Sequence, residues 1–213
     1  MWDLGAAAGA ALAAHWDARY DLGADTLSWH QDRPAVSLQL LEHLAVPPTT
    51  SVVDVGGGAS SLAGELLRRG MTDVTVLDLS ARAVEAAQGR LGPAAARVTW
   101  VVGDVLAWQP GRTFGLWHDR AVFHFLVDPA DRDRYRTVLR AALEPGGAAI
   151  LGTFALDGPE QCSGLPVRRY DAETLAAELG AGFELVRSCR EEHVTPAGGV
   201  QAFTWVALRR SAR

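Results

Sequence analysis

The chain has 213 residues, of which 48% are hydrophobic, and a formal charge of −5, which suits one globular domain with a full core. The negative balance argues against a nucleic-acid-binding or membrane-surface protein that works by bulk electrostatics, so neither partner is expected. Cys162 and Cys189 are too few for a disulfide framework and form no Cys-x-x-Cys pair, so a reduced cytoplasm and no zinc site are expected.

The alanine-rich opening, Gly5 to Ala14, carries Asp3 ahead of it and no basic flank, and so reads as the start of a helix rather than a leader. A helix is expected from about Gly9 to Tyr20, with Trp16 and Tyr20 on one face, where packing is their default role. Ser28-Trp29-His30-Gln31 is a loop. Pro34 suits a first helical turn, and Val36, Leu40, Leu41 and Leu44 continue at helical spacing until Pro47-Pro48. Residues 1–48 are placed to act as a lid.

Val52, Val53 and Val55 read as a strand buried on both faces, ended by Gly56-Gly57-Gly58. Leu62, Leu66 and Leu67 then fall at helical spacing. Val74 to Leu77 is a second strand ending at Asp78, and Ser80 caps the helix that follows. A third strand runs from Arg97 to Val102 and ends in Gly103-Asp104; a fourth, Phe114 to Trp117, is followed by His118-Asp119-Arg120. After a helix over about 131–143 and the turn Leu143-Glu-Pro-Gly-Gly147, a fifth strand spans Ala148 to Phe154. A polar loop to Arg169, a helix from about Asp171 to Leu179, and the strands Phe183–His193 and Val200–Leu208 close the chain. The fold class is α/β: a Rossmann-like, seven-stranded, mostly parallel sheet with helices on both faces and a C-terminal antiparallel hairpin. All 213 residues are read as one domain, with a nucleotide-binding core over 49–155 and a substrate loop, helix and closing hairpin over 156–213.

A strand, a glycine turn and a helix make a floor on which a ligand can approach the backbone and an anion can meet free amides. Asp54, two residues before Gly56, narrows the choice of ligand. It would repel a dinucleotide pyrophosphate but tolerates S-adenosylmethionine, which carries a sulfonium and an ammonium. The dinucleotide fingerprint is also broken at Ser61. Asp78 lies 20 positions beyond Gly58, the spacing of a carboxylate that accepts from both ribose hydroxyls. Asp104 and the Val105 amide are placed to read adenine.

Asp54-x-Gly-x-Gly, Asp78, Asp104 and Leu143-x-Pro-Gly-Gly together resemble the class I S-adenosylmethionine-dependent methyltransferases over residues 50–155, with Ser60 where that family has a third glycine. The resemblance implies that Asp54, Gly56, Gly57, Gly58, Asp78, Leu79, Asp104, Val105 and His118 bind S-adenosylmethionine. A narrower resemblance joins Trp16-Asp-Ala-Arg-Tyr20, Trp29-His30-Gln31 and Asp119-Arg120-Ala121 to thiopurine S-methyltransferase and its thiol and halide methyltransferase relatives. It implies that Trp29 and Gln31 cover the cofactor and that Arg120, beside Asp119, faces the substrate. His118 and the Phe123-His124-Phe125 group depart from that pattern.

A thiolate or similar soft nucleophile needs no strong base, whereas an amine or hydroxyl would need His118 or His124 to take its proton. Arg120 could instead hold an anionic substrate. Cys162, in a long polar loop, is either a substrate-facing thiol or a plain loop residue. No set of oxygen ligands near Asp119 suits magnesium. The leading expectation is a methyltransferase acting on a small-molecule nucleophile, with a thiol or related soft nucleophile as the first candidate. A protein lysine methyltransferase and a non-catalytic S-adenosylmethionine-binding protein are the alternatives, with a dehydrogenase further behind.

Overall fold

The computed structural model describes residues 4–212. Helix α1 (Leu4–Tyr20) begins five residues earlier than the periodicity predicts, because the alanines of the opening favour helix without needing an apolar stripe. It is followed by α2 (Ala35–His43), β1 (Val52–Val55), α3 (Leu62–Arg68), β2 (Val74–Asp78), α4 (Ala81–Leu91) and β3 (Val98–Val102). The second half contains β4 (Phe114–Arg120), α5 (Pro129–Ala142), β5 (Leu143–Phe154), the two-residue strands β6 (Gln161–Cys162) and β7 (Leu165–Pro166), α6 (Ala172–Leu179), β8 (Phe183–Val194) and β9 (Val200–Arg210).

Seven strands form one sheet in the order β3-β2-β1-β4-β5-β9-β8, and β6 pairs with β7 separately. The pairs from β3 through to β5 are parallel, whereas β9 is antiparallel to both its neighbours. The expected fold class is therefore the observed one. Two details differ. The Leu143–Gly147 turn is absorbed into β5, with a register shift against β4 between Phe114 and Leu116. The polar loop before α6 also contains the β6–β7 hairpin, too short to leave a periodicity.

Alternation along the strands divides the core into two layers. Val52, Leu116, Ile150 and Trp205 pack with α2 and α3 on one face. Val53, Trp117, Leu151 and Val206 pack with α5 and α6 on the other. Central strands β1 and β2 are buried at every position, which explains why valine and leucine dominate them and why Asp54 and Asp78 are the exceptions to account for. The helices start where the sequence supplies caps. Ser80 Oγ accepts from the Ala83 amide, Asp128 precedes Pro129, and Asp171 and Thr174 form a reciprocal capping box. Among the described residues no helix is long and apolar enough to cross a membrane.

Candidate active site

A cavity of about 240 Å³ opens at the carboxyl ends of β1 to β4, where a parallel sheet binds its ligands. Its floor is the turn after β1. Gly56 and Gly58 have φ of +64° and +30°, and a Cβ on Gly58 would stand 2.6 Å from Asp78 Oδ2 and 2.8 Å from the Tyr20 hydroxyl. A Cβ on Gly56 would collide with Val122. The tight turn therefore brings backbone to the cavity wall where no side chain fits. Gly57 lies directly over Asp54, whose Oδ2 would be 2.5 Å from a Cβ there.

Asp78 and Asp104 line the same cavity, as do Leu79, Val105 and Gly56. Asp78 Oδ1 accepts the Ser80 amide at 2.8 Å, which fixes the carboxyl at the strand end. Burial raises this carboxyl to about 7, helped by nearby Asp54 and Asp17 and opposed by the Ser80 and Gly58 amides. Asp104 Oδ1 accepts the Leu106 amide at 2.8 Å.

Helix α1 roofs the cavity with Leu12, Trp16 and Tyr20. It is tied down at two places. Asp17 Oδ1 accepts from Ser80 Oγ at 2.6 Å and from the Arg82 amide at 3.2 Å, while Arg19 Nη2 donates to the Ser163 carbonyl at 2.7 Å. Trp16 meets Trp29 and Phe125 edge-on, with ring centroids 5.8 and 5.1 Å apart, and Tyr20 meets Trp29 at 6.1 Å. Packing is part of what Trp16 and Tyr20 do, as the helical spacing suggests, but both also line the cavity. So do Phe125 and Asp131, which sequence reasoning missed.

Arg120, at the end of β4, is the one cation lining the cavity among the described residues. Its Nη1 donates to the Trp29 carbonyl at 2.8 Å, and its guanidinium carbon lies 4.9 Å from the centre of the Phe203 ring. Nε and Nη2 are buried without a hydrogen-bond partner among the described residues. Cys162 also lines the cavity, and burial raises its thiol to about 11, so the neutral form dominates near pH 7.

A family model described as a methyltransferase domain matches residues 52–147, the segment that carries the glycine turn, Asp78 and Asp104. Residues 52–147 therefore carry the sequence signature of a methyltransferase domain. No curated protein sequence matches the chain significantly. Solved structures do. The 1,6-didemethyltoxoflavin-N1-methyltransferase of Burkholderia thailandensis superposes with a TM-score of 0.75 at 24% identity, over 99% of this chain and 92% of that one. A methyltransferase from Anabaena variabilis gives 0.75 at 17% identity, over 95% of each chain. The N-methyltransferase NodS of Bradyrhizobium japonicum, with S-adenosylhomocysteine, gives 0.69 at 18% identity, over 93% of this chain and 98% of that one. At these identities the likeness is one of fold.

The remaining residues singled out from the sequence lie around this cavity without lining it. His118 is buried, with Nδ1 at 2.7 Å from Asp54 Oδ1 and Nε2 at 2.9 Å from Ser37 Oγ. Both ring nitrogens are therefore engaged, joining β1 and β4 to α2. His124 is packed between Phe125 and Phe154, its Nδ1 facing the Phe154 amide at 3.4 Å. Burial, reinforced by Arg120, lowers its pKa to about 3, so it is neutral near pH 7. Neither histidine that the sequence offers as a base reaches the cavity.

Asp119 points to the opposite face of the sheet from Arg120, as strand alternation requires. It accepts the Tyr135 hydroxyl at 2.5 Å and the Val122 amide at 2.9 Å, and so fixes the turn after β4, where Ala121 has φ of +68°. Gln31 is also committed elsewhere, donating to Glu191 Oε1 at 2.6 Å.

Proposed function

We propose that this methyltransferase domain moves the methyl group of S-adenosylmethionine to a small-molecule nucleophile under a roof made by α1 and the Trp29 loop. The observation that carries the reading is one cavity lined by Asp78, Asp104 and Gly56 of the glycine turn together with Arg120 and four aromatic rings. The cofactor brings an electrophilic methyl group on a positively charged sulfur. The chain's part is to hold it, align the acceptor and exclude water.

The residues present fit that cofactor. Asp78 is a buried carboxyl at the spacing and strand end suited to a ribose diol, and burial leaves it in need of donors. Asp104 and the Val105 amide are positioned for adenine. Asp54 acts through the loop: its Oδ2 lies under Gly57, and its Oδ1 is held by His118. Trp16, Tyr20 and Trp29 cover the cavity.

No histidine lines the cavity among the described residues, and the Cys162 thiol is neutral near pH 7. The reading therefore favours an acceptor that is already anionic or carries a free lone pair, such as a thiolate or a ring nitrogen, over an alcohol that must lose a proton on the enzyme. A small molecule is favoured over a protein lysine because α1 closes the site. Arg168 and Arg169, the cations that precede α6, are paired with Glu178 and Glu160 rather than left free for a protein substrate. Two free thiols agree with a cytoplasmic setting.

The test is a nucleophile screen with S-adenosylmethionine, begun with aromatic thiols and nitrogen heterocycles. Formation of S-adenosylhomocysteine with one class of small acceptor supports the reading. Retained cofactor binding with no product from any nucleophile would make the chain a binding protein instead.

A further inference from the structure

We infer that the acceptor is a planar aromatic molecule bearing a carboxylate or an equivalent two-oxygen monoanion, and that the free edge of Arg120 receives it. The inference rests on the proposed methyltransferase reading and specifies its substrate.

Nη1 of Arg120 is taken by the Trp29 carbonyl. The two groups left without a protein partner, Nε and Nη2, are the parallel donors along one edge of the guanidinium, the edge that meets a carboxylate through two hydrogen bonds. A charged group rarely stays buried with two unmet donors unless a ligand meets them.

The protein's own carboxylates do not fill this role. Glu191, the nearby acid, has both oxygens occupied, by Gln31 Nε2 and Trp205 Nε1. Asp131 is partly exposed and bridges to Arg134 at 3.4 Å, and Asp119 faces Tyr135 across the sheet. Asp78 and Asp104 stand at the cofactor end, where they repel any excess of negative charge. One cation against these acids suits a monoanion better than a phosphate dianion.

The rest of the acceptor is specified by the walls. Trp16, Trp29 and Phe125 form a connected aromatic group, and Trp29 supplies the carbonyl that orients Arg120. Such walls favour a flat ring. A cationic amine could also pair with aromatic faces, but Arg120 would repel it.

The experiment titrates the full chain saturated with S-adenosylhomocysteine. The probes are benzoate and 2-naphthoate, their amides, cyclohexanecarboxylate, benzylammonium and 2-naphthyl phosphate. At least one aromatic acid should bind about tenfold or more tightly than its amide and than cyclohexanecarboxylate, with benzylammonium silent and the phosphate weaker. R120Q should abolish the preference for acid over amide while leaving S-adenosylhomocysteine affinity within about threefold, and R120K should restore only part of it.

Equal binding of acid and amide, tighter binding of the phosphate, survival of the preference in R120Q, or no acid binding to a protein that holds S-adenosylhomocysteine would each overturn the inference. Because the probes are compared on the wild-type chain, the result does not depend on whether R120Q folds. Failure to bind S-adenosylhomocysteine at all would overturn the cofactor reading as well, so the two failures are told apart by the first titration.

Discussion

Asp78 couples the chemistry of one side chain to the behaviour of the site. Burial holds its carboxyl at about 7 in the unliganded protein, against an ordinary value of 3.8. Ribose hydroxyls donating to it favour the ionised form, so binding lowers the pKa and releases a proton. Affinity should then fall as the pH is lowered through 7. S-adenosylhomocysteine is predicted to bind about tenfold more weakly at pH 6 than at pH 8. Calorimetry in buffers of different ionisation enthalpy should detect the released proton, and a flat profile would remove Asp78 from the ribose site.

Asp119 gives a contrasting case, since its partners are structural. Its folded pKa is raised by burial to about 6, so its contribution to stability is greatest below 3.8 and is lost as the pH rises through 6. Tyr135→Phe removes the donor that most eases its ionisation. The variant is predicted to lose about 1–3 kcal/mol of stability, more at pH 8 than at pH 5, as measured by urea unfolding. An equal loss at both pH values would contradict the assignment.

At the scale of elements, α1 is the part whose role is least evident from its own sequence. Its alanines make it helical whatever it packs against, and what fixes it over the cavity is the Asp17 bond to the start of α4 and the Arg19 bond to the β6–β7 hairpin. Asp17→Ala is predicted to weaken S-adenosylhomocysteine binding about fivefold with little change in melting temperature, since it frees the roof and leaves the sheet intact. Unchanged affinity would show that α1 is not a functional lid.

The strand-turn-helix unit around Gly56–Gly58 and the strand ends at Asp78 and Asp104 were legible because local rules fix them: β-branched runs, glycines, and carboxylates at set distances. Trp29, Arg120 and Cys162 also reach the cavity. Gln31 and His118 were harder, because the groups that claim them, Glu191 and Ser37, lie 160 and 81 positions away. Asp119 was separable from Arg120 in principle, since adjacent residues of a strand face opposite ways. The β6–β7 hairpin left no signal, being two residues on each side.

For the whole molecule, the sheet order brings the C-terminal hairpin under the site. β9 inserts between β5 and β8, so that Trp205 lies across from Gly152. A Cβ at Gly152 would stand 2.8 Å from that indole. Gly152→Ala should cost about 1–3 kcal/mol of stability, read as a lower denaturant midpoint with an unchanged slope. Trp205 in turn donates to Glu191, and Phe203 on the same strand lies beside the Arg120 guanidinium. The last strand of the chain thus helps to set the one cation that lines the cavity among the described residues, while the ends of β1, β2 and β3 supply its acidic and glycine wall.

The account stands most directly on the cofactor. Isothermal titration of the purified chain with S-adenosylmethionine and S-adenosylhomocysteine, with NAD as the control, is the measurement that tests it. The account predicts that both adenosyl ligands bind, that NAD does not, and that Asp78→Ala removes most of the affinity for the first two. Binding of NAD with neither adenosyl ligand would contradict it.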